Sequence, residues 1–173
     1  MNPNNWLTVW CFLAIATSLS VSYGWLVKKG KLPFNSVIAF NDAQWQFLKI
    51  WVNIAGVLGV LIPVILLIVL RNAPEIREFL NFYLLVVVVQ LISESFFSRI
   101  LCKSVVVIVG TLYTGFRIWQ LQSALPLFSY FQPWLSLLWL VLIFWIANMI
   151  MLTTMAIPCI LPPLNNYNSS NND

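Results

Sequence analysis

Four stretches of this chain, about 6–27, 50–70, 79–97 and 134–157, are almost wholly apolar over the roughly 20 residues that a helix needs to cross a hydrocarbon core. Segments of that kind leave few folds open. In lipid a backbone has to satisfy its own hydrogen bonds, so each segment reads as a helix and the chain as a helical bundle. Of the 173 residues, 61% are hydrophobic and 8% charged, where soluble domains have about a quarter charged, and mean hydropathy is +0.88. Aromatic residues mark the segment ends, among them Trp6, Trp25, Trp45, Trp51, Tyr83 and Trp134, as an interfacial belt would place them. Trp139 and Trp145 fall deeper, where they pack or face lipid tails.

The region 98–122 is ambiguous. Its uncharged core, 104–116, is too short to span alone, yet Lys103 and Arg117 can snorkel and extend it to about 100–122. The expected fold is all-α: a polytopic transmembrane helical bundle of five spans, with the fourth at about 100–122, in one domain covering 1–164. Four spans plus a re-entrant or interfacial helix is the alternative. Leu125–Pro133 reads as an interfacial turn, and Pro158, Pro162 and Pro163 as the end of the last span. The Asn- and Ser-rich tail, 165–173, is expected to be disordered and polar.

Basic residues orient the chain. Lys28, Lys29, Lys31, Lys49, Arg99 and Lys103 fall in the first and third loops, while Arg71, Arg77 and Arg117 fall opposite. That bias puts the Lys28–Lys31 loop inside and the N-terminus outside. Met1–Asn5 lacks the basic start of a signal peptide, so the first segment is expected to be retained.

Several functions are excluded on residue types. The chain has no histidine, and Cys11, Cys102 and Cys159 are far apart, so neither a Cys/His zinc site nor haem ligation by histidine is possible. No metal or cofactor is expected. A charge of +4 spread over several loops is not a nucleic-acid footprint. There is no phosphate-cradling glycine loop, HExxH, GxSxG or aspartate pair, so an enzyme is not expected.

One acidic side chain, Glu94, falls inside an apolar run, and ionisable groups there are functional-site candidates. Gln90 lies one turn earlier on the same face, and Ser93 flanks it. Arg99 and Lys103 begin the next helix, and the topology brings Asn53 and Asn148 to the same level. Two accounts follow from this candidate intramembrane cluster. In the favoured one, Glu94 pairs with Arg99 or Lys103 and interhelical hydrogen bonds hold the bundle. In the other, a small transporter or channel uses Glu94 as a proton or cation site. Gly56 and Gly59, followed by Pro63, predict close helix packing with a mild kink. Pro74, with Glu75 and Glu78, suits a helix start.

The stretches Tyr83-Leu-Leu-Val-Val-Val-Val-Gln-Leu-Ile-Ser-Glu94 and Tyr113-Thr-Gly-Phe-Arg-Ile-Trp-Gln-Leu-Gln122 resemble small uncharacterised multi-span membrane proteins of cyanobacteria and plastids. The resemblance implies a plasma or thylakoid membrane and no assigned activity, so it carries over no functional residue. The function expected is that of an integral membrane protein of structural or accessory type, a small subunit or assembly factor of a membrane complex. Its partners would be the lipid bilayer and another membrane protein or a second copy of itself.

Overall fold

The computed structural model describes residues 5–38 and 40–161. They form five helices: α1 (Trp6–Lys28), α2 (Asp42–Val69), α3 (Pro74–Ile100), α4 (Val105–Ala124) and α5 (Trp134–Ile160). No strand occurs among the described residues. All except α4 are long and apolar enough to cross a membrane. The tail 165–173, with Pro162 and Pro163, lies outside the described residues.

Local signals set the helix ends. At the start of α1, the Asn5 side chain accepts from the Leu7 N–H. Beyond its C-terminus, Gly30 takes a φ of 67°, a left-handed conformation that suits glycine. Asn41 and Gln44 form a reciprocal capping box that starts α2 at Asp42, about two turns before the expected apolar run. Pro74 and Glu75 open α3, whose last carbonyls receive a cation: Lys28 Nζ donates to the Ile100 carbonyl at 2.8 Å. A short 3₁₀ turn, Leu125–Phe128, leads from α4 towards α5.

Helix α4 is the interior element, packed against α1, α3 and α5. Its Val105, Val109 and Tyr113 meet Val9, Leu13 and Ala16 of α1, and Phe116 stacks on Phe12 at 3.9 Å. Only Trp119 and Gln122 of α4 are exposed. This burial explains why α4 reads so weakly as a span. A helix walled by protein on most sides can carry polar groups that a lipid-facing helix cannot. The snorkelling expected of Arg117 is corrected for the same reason: Arg117 points into the bundle and is only 2% exposed.

Two of the helices carry π turns, Val57–Leu61 in α2 and Leu152–Ala156 in α5, each followed two residues later by a proline, Pro63 or Pro158. A proline inside a helix removes a donor and crowds the carbonyl four residues back, and a widened turn absorbs both effects. α5 therefore runs through Pro158 to Ile160, past its expected end at 157. In α2 the carbonyl that Pro63 cannot serve is that of Gly59. Tyr83 Oη on α3 donates to it instead, at 3.0 Å.

The two glycines of α2 have different surroundings. A Cβ on Gly59 would stand 2.5 Å from Trp145 Cζ2, so α2 and α5 touch there with no room to spare. A Cβ on Gly56 would meet nothing within 4 Å. Thermal unfolding in detergent should separate them. Gly59→Ala is expected to destabilise the bundle by about 1–3 kcal/mol through overpacking. Gly56→Ala should be neutral or slightly stabilising, because alanine favours the helix.

Candidate functional site: a cavity between α2, α3, α4 and α5

A cavity of about 310 Å³ opens between these four helices. The connection between α1 and α2 crosses this end of the bundle. Asn35 holds it there, its N–H donating to the Ile160 carbonyl at 2.9 Å and its Nδ2 to the Leu161 carbonyl at 3.2 Å. The Ser104 N–H donates to the Ser36 carbonyl at 3.3 Å. These bonds place Ile38 and Phe40 against the cavity. The first half of α2, Asp42–Gly56, has no buried residue and covers the cavity loosely. Val52 on α2 and Leu91 on α3 both line it and are exposed, so its mouth faces the apolar outer surface.

The wall is mainly apolar, with Gln90, Glu94, Arg117 and Asn148 as its polar members. Two hydrogen-bonded chains brace it. In the first, Trp145 Nε1 donates to Tyr83 Oη at 2.7 Å, and Tyr83 donates on to the Gly59 carbonyl, joining α5, α3 and α2. In the second, Trp51 Nε1 donates to Asn148 Oδ1 at 2.7 Å and Asn148 Nδ2 donates to Thr114 Oγ1 at 3.0 Å, joining α2, α5 and α4. Each interhelical bond of this kind contributes about 0.6–2 kcal/mol in a membrane bundle.

Glu94 accepts a hydrogen bond from Gln90 Nε2 on its own helix. Gly110 of α4 faces the carboxylate: a Cβ there would lie 3.8 Å from Glu94 Oε1, an ordinary van der Waals distance. The basic side chain that lines the same cavity as Glu94 is Arg117, and no direct ion pair joins the two among the described residues. The Arg117 guanidinium lies 4.3 Å from the centroid of the Trp145 ring and 6.0 Å from that of Tyr83. Such cation–π contacts with a desolvated Arg are worth about 2 kcal/mol.

The structure thus gathers Gln90, Glu94 and Asn148 of the expected cluster and leaves out the rest. Arg99, in the last turn of α3, and Lys103, between α3 and α4, are exposed and do not line the cavity, so the expected pairing of Glu94 with either one does not form, and the basic side chain that shares its cavity is Arg117. Asn53 is exposed on α2, away from the cavity. Ser93 is buried but outside the lining, and Gly56 lines the cavity without a packing neighbour at its Cβ position. Sequence reasoning missed Arg117, Trp51, Trp145 and Thr114 as site residues. A signal existed for two of them: Thr114, Arg117 and Gln120 recur at three-residue spacing on one face of α4, and all are buried.

Among the described residues no three metal-ligating side chains cluster, and the lining offers no nucleophile beside a base. The arrangement is suited to holding a molecule. No protein-family model, curated protein or solved structure matches the chain.

Arg117 is buried and Glu94 half-buried, and the two share one cavity without a direct ion pair. If their charges compensate each other through the cavity, Arg117→Met should destabilise the bundle, and adding Glu94→Gln should restore part of the loss. A double-mutant cycle on detergent unfolding checks this; additive effects would mean that the two groups do not communicate.

Proposed function

We propose that this integral membrane protein serves a structural or accessory role, as a small subunit or assembly factor of a membrane complex. One observation carries the reading: Trp51, Tyr83, Thr114, Trp145 and Asn148 bond to one another or to backbone across helices, so these intramembrane polar groups serve to fix the bundle. Exposed apolar side chains such as Ile15, Ile68, Ile92 and Ile143 on four helices are left for lipid or for a membrane-protein partner, including a second copy of the chain. The resemblance of Tyr83–Glu94 and Tyr113–Gln122 to small proteins of cyanobacteria and plastids supports a plasma or thylakoid membrane as its address. The basic residues favour the N-terminus outside and the Lys28–Lys31 loop inside. Lys29 Nζ stands 4.0 Å from the centroid of the Trp25 ring, a combination suited to a headgroup layer.

A second reading, a small transporter or channel using Glu94 as a proton or cation site, draws on the presence of Glu94 in a cavity wall. The two separate in proteoliposomes and in a mild-detergent pull-down. The accessory reading expects proton and cation flux at background, with a membrane protein or a second copy retained stoichiometrically. Flux above background that disappears in Glu94→Gln would reverse the preference.

A further inference from the structure

The cavity holds polar atoms that the interhelical bonding leaves over. Arg117 is 2% exposed and Gln90 is 8% exposed, and both line the cavity. Of the buried side-chain atoms without a hydrogen-bond partner among the described residues, Arg117 Nε and Gln90 Oε1 belong to side chains that line the cavity, while those of Tyr23, Tyr113 and Gln120 lie outside its lining. Buried polar groups of this kind are normally satisfied, so two beside one cavity point to a ligand that brings polar atoms with it.

Charge narrows the class. A guanidinium keeps its charge in proteins, and Glu94 is the one carboxylate in the lining. An ionised Glu94 balances Arg117 across the cavity. A cationic or anionic head group would upset that balance in a medium of low dielectric, whereas a neutral one adds hydrogen bonds without adding charge. From this we infer that the cavity binds a neutral amphiphile drawn from the bilayer. Its head carries at least two oxygens, one accepting from Arg117 and one, a hydroxyl, donating to Gln90 Oε1.

Size and access agree with that occupant. A volume of about 310 Å³ is at the small end for ligand pockets. At about 30 Å³ per water-sized group it holds a head and the first part of a chain. The remainder of the chain leaves past Val52 and Leu91, which are 59% and 54% exposed on the apolar surface. The indoles of Trp51 and Trp145 offer flat walls on the way in. A glycerol head and a dihydroxy ring share this chemistry. The inference goes beyond the accessory role, and its test does not require that role.

The test uses the full chain in liposomes. A monoacylglycerol with a diazirine near the head of its acyl chain is photolysed, and the cross-linked peptides are mapped. Labelling is expected on the cavity-facing parts of α2, α3 and α5. Unlabelled monoacylglycerol or decyl-hydroquinone should compete, and whichever does so better identifies the source of the head group. A lysophosphatidic acid and an alkyltrimethylammonium of equal chain length should compete roughly tenfold less well. Gly56 borders the cavity at an exposed position where a Cβ meets nothing within 4 Å, so Gly56→Leu adds bulk at the rim and should lower labelling at least about tenfold at an unchanged melting temperature. Val52→Trp, on an exposed face at the mouth, should do the same. Labelling that maps elsewhere, or survives both substitutions, would overturn the inference. So would a charged competitor that displaces the probe best.

Discussion

Hydrocarbon offers no partner to a guanidinium, and Arg117 sits in the middle of α4 with the rest of the molecule arranged around it. A lipid-facing position would leave this charge exposed to the bilayer at a cost of several kcal/mol. The bundle answers by making α4 the interior helix, with α1, α3 and α5 packed on it. The counter-charge comes from α3 as Glu94, and Trp145 on α5 lays its ring against the guanidinium. The outer surface can then be apolar on four helices because the polar groups have been taken inwards.

The same economy governs the backbone. Pro63 withholds an N–H from the Gly59 carbonyl, which in lipid would be a costly defect. A π turn spreads the disturbance, the Tyr83 hydroxyl fills the gap, and Trp145 donates to Tyr83 in turn. Gly59 admits Trp145 because it has no side chain to collide with the ring. A break in one helix thereby becomes a three-helix joint at the base of the cavity. Above that joint the first half of α2 buries none of its residues, and the space beneath it is the cavity itself.

This division of labour ties the two functional statements together. Side chains that bond to each other give the fold rigidity, which suits an accessory protein presenting fixed apolar faces. Side chains beside them that keep unpartnered atoms, Arg117 and Gln90, mark where another molecule would be met. The first set is distributed over the joints between helices; of the second, Arg117 and Gln90 border one volume, while Tyr23, Tyr113 and Gln120 keep unpartnered atoms elsewhere. A carboxylate in a membrane helix is thus insufficient evidence for ion passage. Its meaning depends on which groups share its cavity.

Much of the fold was legible in the chain. Apolar runs of spanning length place four helices, because lipid imposes length and apolarity on each segment by itself, whatever its neighbours. Caps are equally local: Asn41 with Gln44, and Pro74 with Glu75, act within one turn. The candidate site was legible only in part. Gln90 and Glu94 announce themselves by sharing a face inside an apolar run, but the partner of Glu94 was misread as Arg99 or Lys103, the basic residues nearest in sequence. Which charge meets Glu94 depends on how α3 and α4 rotate and dock, and that is a property of packing between helices far apart along the chain. The chain alone determined that this protein lives in a membrane as helices. Only the tertiary structure decided that α4 lies at the centre, and that its buried Arg117 faces Glu94 across a cavity, because burial is settled by neighbours and not by composition.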